Sequence, residues 1–282
     1  MIERCYLLRP RRVSNPEQRA MGYDRFSGRF LEGCCTAVVS LVMSWGWAGA
    51  APVPAEPESA TESTVRVTSY GHSALLFESD EGRLLINPFR AVACAADLKE
   101  PRLAVDLILA SSNLPDEGAP VAQGRFLSTP GSYGLDDWQV EGFAAPHDHV
   151  GGRRFGQGVV WTWQQAGLRM AHMGGAAVPP TAAERILLSD VDVLVLAVGG
   201  GSKVMDGIQA AQVIDDLKPR LVIPVQYATA TPPAECDLAT IEPFLEALPA
   251  TVAVERPGAT TELNDSLLGD GTAVHVLELD SP

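Results

Sequence analysis

Asp192 to Val198 is an unbroken apolar run, Met205 to Leu217 is amphipathic at helical spacing, and Arg220 to Val225 is apolar again. A strand that is apolar at every position, rather than at alternate ones, needs cover on both faces. Two such strands joined through a helix form a right-handed parallel crossover. A chain with this segment must therefore build a parallel sheet with helices packed on it. Pro180 to Leu188 and Leu238 to Leu248 supply further helical patterns, and Thr251 to Val254 and Ala273 to Leu279 supply further strands.

The first half has a different rhythm. Val65 to Tyr70, Ala74 to Glu78 and Arg83 to Asn87 read as short strands, with Ser79-Asp-Glu-Gly82 as the turn between the last two. Asp106 to Ala110, Gly158 to Gln164 and Leu168 to His172 continue the strands, the last two joined by Gln165-Ala-Gly167. An antiparallel meander followed by crossover units is α/β or α+β on periodicity alone. No solenoid period is present.

Arginines at 4, 9, 11, 12, 19, 25 and 29 precede an apolar run from Cys34 to Trp47, and Ala48-Gly49-Ala50 offers the small residues that a signal peptidase accepts. The pattern predicts a signal peptide over residues 1–50, with Met21 as an alternative start. The product would be exported to a periplasmic, lumenal or extracellular space. An uncleaved membrane anchor is the rival, because Cys34 to Ala51 approaches the roughly 18 apolar residues of a spanning helix. Ala51 to Thr64 is rich in Pro, Ala, Glu, Ser and Thr and predicts a disordered linker, leaving one domain over residues 65–282.

Without residues 1–50 the chain loses seven of its 21 basic and four of its 35 acidic side chains, leaving a net charge of about −17. Such a surface repels nucleic acid and anionic lipid, so no nucleic-acid partner is expected, and a membrane only through the N-terminal segment. A small-molecule ligand remains compatible. Only Cys94 and Cys236 lie beyond the leader, and no Cys-x-x-Cys occurs. An oxidising compartment would permit a disulfide between them, but packing roles are the favoured expectation.

Several landmarks occur in order. Gly71-His72-Ser73 follows the first strand, and Leu84-Leu-Ile-Asn-Pro-Phe89 ends the third. Asp106-Leu-Ile-Leu-Ala-Ser-Ser-Asn-Leu-Pro-Asp-Glu117 runs from strand into loop. Ala144-Ala-Pro-His147, Met170-Ala-His-Met-Gly-Gly175, Asp192 to Gly200 and Lys218-Pro-Arg-Leu-Val-Ile-Pro-Val-Gln-Tyr227 follow. This series resembles the metallo-β-lactamase superfamily, in the branch of ascorbate-phosphate lactonase-like, zinc-dependent hydrolases. The resemblance implies a four-layer αββα sandwich. It also implies a two-metal centre with ligands at 112, 114, 116, 117, 147, 175 and 226.

At those positions this chain keeps Asp116 and His147 but has Ser112, Leu114, Glu117, Gly175 and Gln226. Leu114 and Gly175 offer no side-chain donor, and without a carboxylate at 175 nothing bridges two cations. A dinuclear centre is therefore not expected. What remains is either no cofactor or a single divalent metal, zinc for preference, held by Asp116, His147, Glu117 and the Gln226 carbonyl oxygen. Asp116 and His147 are the candidate catalytic pair. The expected protein is a pseudoenzyme or binding module of hydrolase ancestry. The alternative is a divergent metal-dependent hydrolase of small esters, lactones or phosphorylated metabolites.

Other polar groups carry weaker readings. His147-Asp148-His149 could be a relocated metal pair, but one site histidine beside a solvated loop residue is preferred. His72 lines the same sandwich edge or is a hydrogen-bonded turn residue. His172 supports the site from behind, and His275 is structural. Gly199-Gly-Gly-Ser-Lys203 lacks the phosphate-loop signature; the resemblance explains its glycines as a tight turn passing close to the site, with Lys203 as an anion contact the lesser reading. Ser111-Ser112 has no nucleophile elbow. Trp161 and Trp163 share a strand face and belong to the core.

Overall fold

The computed structural model describes residues 62–135 and 138–279. The leader over 1–50 and most of the linker over 51–64 lie outside the described residues. Glu62, at the linker's end, accepts bonds from the Ser266 backbone N–H at 2.9 Å and hydroxyl at 2.7 Å. Among the described residues no helix is long and apolar enough to cross a membrane.

The meander forms as β1 (Val65–Gly71), β2 (Ala74–Ser79) and β3 (Gly82–Ile86), antiparallel in sequence order. β4 (Ala104–Leu109) and β5 (Gln123–Leu127) then add in parallel. The second sheet takes β6 (Gly131–Leu135), β7 (Trp138–Pro146), β8 (Gln157–Gln165) and β9 (Leu168–Met173), all antiparallel neighbours. β10 (Val193–Ala197) and β11 (Leu221–Val225) follow in parallel, with α1 (Ala182–Leu187) before and α2 (Gly207–Leu217) between them. After α3 (Glu242–Ala247), β12 (Ala253–Gly258) and β14 (Ala273–Leu277) complete this sheet, while β13 (Thr260–Leu263) returns to pair with β1. The orders are β13-β1-β2-β3-β4-β5 and β12-β14-β11-β10-β9-β8-β7-β6.

The unbroken apolar runs have the expected cause. Val193 and Val195 face the inter-sheet core with Phe77, Ile86, Trp161 and Trp163, whereas Leu194 and Leu196 face outward beneath Ala210, Val213 and Phe244 of the helices. The Phe77 and Trp163 rings meet edge-on, 5.0 Å between centroids. The architecture is thus a mixed two-sheet α/β sandwich, as the resemblance implied. Against the six-stranded sheet, the cover among the described residues is slight: a 3₁₀ turn at Ala93–Ala95 packed with Phe89 and Leu98.

Topology places the site. The segments after β1, β4, β7, β9, β10 and β11 carry His72, Asp116 with Glu117, His147, Gly175, Lys203 and Gln226. Carboxyl ends of parallel strands are where such sheets leave room for a ligand. The segment leaving β10 is anchored downstream by α2, whose N-cap Asp206 accepts from Gln209 N–H while Gln209 reaches back to Asp206 N–H. Replacing Asp206 by alanine should cost about 1 kcal/mol in urea unfolding. An unchanged midpoint would mean that the cap does not hold this segment.

Candidate functional site

Glu117 is the centre of the site and is fully buried. His147 Nε2 lies 3.1 Å from its Oε2, and Lys203 Nζ lies 3.4 Å from its Oε1. The Lys203 ammonium also donates to Asp116 Oδ2. The Ser112 hydroxyl donates to Glu117 Oε2 at 3.4 Å, and His147 Nδ1–H donates to the Gly175 carbonyl at 2.7 Å. Two carboxylates, one ammonium and one imidazole thus form a chain with almost no contact with water. Buried charges survive only when paired in this way.

The charges shift one another. Burial works to raise the Glu117 carboxyl, but the His147 contact, the Lys203 ammonium and the nearby His72 ring override it and hold it at about 2. Burial pulls His147 down, yet Glu117 and the Gly175 carbonyl leave it above its ordinary value. Burial also opposes the charged form of Lys203, and Glu117 and Asp116 again reverse the balance, raising it. When His147 is protonated the four charges cancel.

His72 joins this group, although the sequence left it outside the ligand set. One donor atom from each of His72, Asp116 and Glu117 lies within 4.8 Å of the others. His72 sits in a left-handed conformation (φ 52°), and its Nε2 is buried without a hydrogen-bond partner. Burial lowers its pKa more than the two acids raise it. Gln226 is also left-handed (φ 51°), its N–H donates to the His72 carbonyl at 2.8 Å, and its Oε1 is buried without a partner. His72 and Gln226 both line a cleft of about 170 Å³ whose other walls include Leu98, Tyr227, Arg256 and Cys94.

Cys94 and Cys236 form a disulfide across 142 residues, with Cα atoms 4.5 Å apart. This corrects the expectation of packing roles. Sequence spacing has no bearing on which two thiols meet; the bond closes because the segments following β3 and β11 lie side by side at the cleft. Lys203 also differs from its reading as a contact for a ligand anion, since its partners are the protein's own carboxylates. The available signal was that two acids at a vestigial metal site require a cation, and a lysine ends the glycine-rich segment at the same sheet edge.

The remaining polar residues build walls. Asn87, where the resemblance implies Asp, accepts from Ser111 N–H at 2.7 Å and donates to Ser73 Oγ at 3.1 Å. His172 Nδ1 accepts from Gly174 N–H at 3.1 Å, with Ser111 Oγ 3.4 Å away, and burial drives this imidazole down to about 4. Ser111 and His172 are both fully buried, so their contact is no nucleophile and base facing a substrate. Asp148 accepts four backbone N–H groups, from Val150, Gly152, Arg154 and Phe155, which shape the segment after His147. His149 is exposed and bonds the Gly201 carbonyl at 3.2 Å, apart from the buried His147 ring. His275 bonds Thr261 at 3.1 Å, away from the site.

A two-metal centre does not fit these residues. The Lys203 ammonium already supplies the positive charge between Asp116 and Glu117, and Leu114 has no donor. At Gly175 a Cβ would stand 3.0 Å from Ser111 Cβ, leaving a bridging carboxylate no room without displacement. The donors of His72, Asp116 and Glu117 form a partial metal-binding group only.

No curated protein matches the chain. Among solved structures, a Thermotoga maritima protein assigned to the Zn-dependent hydrolases of the metallo-beta-lactamase superfamily aligns at 21% identity and TM-score 0.59, covering 76% of this chain and all of its own. A Parabacteroides distasonis protein assigned as a metal-dependent hydrolase aligns at 17% identity and TM-score 0.54, covering 77% of this chain and 94% of its own. At these identities the likeness speaks for the fold. Residues 66–226, more than half of the chain, match the family described as the beta-lactamase superfamily domain, and with the two-sheet sandwich and its strand-end site in place, the chain belongs to the metallo-β-lactamase superfamily.

Proposed function

We propose that this protein is an exported pseudoenzyme of hydrolase ancestry, a binding module in which an internal ion cluster has replaced the metal centre. The observation that carries the reading is the Lys203 ammonium in contact with both Asp116 and Glu117. A carboxylate already neutralised by a tethered cation is a poor metal ligand and, buried, a poor general base. The cleft lined by His72 and Gln226 supports binding, because it is a concave site with mixed apolar and polar walls, Leu98 and Tyr227 beside Arg256 and Glu278. The leader pattern and the Cys94–Cys236 disulfide support export, since disulfides persist in oxidising compartments.

Metal analysis of the purified full chain tests the reading. Far less than one equivalent of any transition metal is the expected result. About two tightly held ions per chain, the complement of a two-metal hydrolase, would overturn it.

One observation favours a second reading. His72, Asp116 and Glu117 have donor atoms within 4.8 Å of one another, and one imidazole with two carboxylates would suit a single zinc ion. A mononuclear hydrolase of small esters, lactones or phosphorylated metabolites would use this trio, the zinc polarising the substrate carbonyl or phosphoryl oxygen. It requires one equivalent of zinc in the native chain and the loss of that zinc on His72→Ala.

A further inference from the structure

We infer that Lys203 is a tethered counter-cation standing where this fold holds a metal, and that it keeps closed a latent single-cation site formed by His72, Asp116 and Glu117. The inference rests on the pseudoenzyme reading, and it states what occupies the former metal position and what its removal exposes. Three observations carry it. The ammonium contacts both carboxylates. The donor atoms of the two acids and His72 lie within 4.8 Å of one another, a spacing at which two buried carboxylates both stay ionised only beside a positive charge. The His72 Nε2 is buried and has no hydrogen-bond partner.

The backbone that delivers Lys203 is built for the task. Gly200 and Gly201 adopt φ of 68° and 69°, a conformation that side chains resist. A Cβ on Gly199 would stand 2.1 Å from the Gln226 carbonyl oxygen, and one on Gly201 would stand 2.8 Å from Asp237 Oδ1. The segment is pinned by Gly200 N–H on the Met205 carbonyl at 2.8 Å, by Ser202 N–H on Asp237 Oδ2 at 2.9 Å, and by His149 on the Gly201 carbonyl. A flexible surface lysine would leave its carboxylates free part of the time. This one arrives from a fixed strand-end segment with only 15% of its side chain exposed.

The consequence is an exclusion. A divalent ion among His72, Asp116 and Glu117 would share its two carboxylates with an ammonium that hydrogen-bonds Asp116 and stands 3.4 Å from Glu117 Oε1, and like charges so close in a poorly solvated site repel strongly. Without the ammonium, one imidazole nitrogen and two carboxylate oxygens form a three-ligand set with an open fourth position. Zinc or manganese fits that set; magnesium, which keeps its own waters, fits it poorly.

Zinc titration of the full chain, followed calorimetrically and by metal content after dialysis, tests this. Lys203→Ala is expected to take up one equivalent of zinc at least about 100-fold more tightly than the wild type, and zinc should raise its melting temperature selectively. Lys203→Arg, which keeps the positive charge, should behave as the wild type. Adding His72→Ala to Lys203→Ala should abolish the gain. Lys203→Gln keeps a donor for Asp116, and serves if the alanine variant folds only with zinc, an outcome that itself supports the inference.

A Lys203→Ala or Lys203→Gln chain that binds zinc no better than the wild type overturns the inference while leaving the pseudoenzyme reading intact. So does a gain that survives the loss of His72. Two tight equivalents in the wild type would instead sink the pseudoenzyme reading. One tight equivalent in the wild type, with the lysine present, would overturn the claim that the lysine closes the site.

Discussion

Replacing Lys203 by methionine is expected to lower the unfolding free energy by about 3 kcal/mol, toward the lower end of what breaking a buried ion pair costs, because the ammonium is not fully desolvated. Methionine preserves most of the volume, so the loss reports charge. It leaves Asp116 and Glu117 with His147 as their remaining cation, in a site where Glu117 and His147 have no exposed surface. Urea unfolding near pH 6 would measure it. A loss below about 0.5 kcal/mol, typical of exposed pairs, would show that the cluster does not stabilise the fold.

The pH dependence of the same variant follows from the signs of the shifts. The Glu117 carboxyl is held at about 2, below the ordinary 4.5. Its contribution is therefore present above about pH 4.5 and is lost as pH falls toward 2. His147 is raised, so its contribution is present below about pH 6.5 and fades as pH rises through its folded value. The cluster thus favours the folded state most between those limits. In Lys203→Met the Glu117 carboxyl loses one of the partners that hold it down, so its contribution should be smaller and its loss on acidification complete at a higher pH than in the wild type. Superimposable acid limbs would contradict the assignment.

The second large effect concerns the disulfide. Opening a loop of 142 residues should cost about 5 kcal/mol in the chain-entropy account. That is a third or more of the stability of an ordinary domain. Cys94→Ser with Cys236→Ser should lower the melting temperature sharply, and reductant should do the same to the wild type while leaving the double variant unaffected. The bond also forms part of the cleft wall beside His72 and Gln226, so its loss should loosen the cleft as well as the fold. A wild-type melting curve indifferent to reductant would remove the structural role assigned to the bond.

Legibility in the sequence varied with physical cause. The crossover through β10, α2 and β11 was readable because residues apolar at every position demand cover on two faces. The turns at residues 80–81 and 166–167 were readable from their polar and glycine residues. Strands β5, β6, β7 and β13 were not read. β5, β6 and β13 are four or five residues long, lie at sheet edges, and bury few of their side chains. β7 begins with a clear alternation, Trp138 and Val140 buried against exposed Gln139 and Glu141. Gly142 then interrupts it, because a Cβ there would stand 2.6 Å from the Trp161 ring.

The sequence by itself determined the family and the erosion of its ligands. Both are matters of which residue stands at a given place along a strand and its following segment, and Ser112, Leu114, Glu117, Gly175 and Gln226 are visible there without coordinates. Only the tertiary structure decided what fills the loss. Lys203 meets Asp116 across 87 residues, and Cys94 meets Cys236 across 142. Neither meeting has a spacing rule, because neither is made within one element. Each exists because the two sheets bring the ends of several strands to one edge, where burial obliges every charge to find a partner.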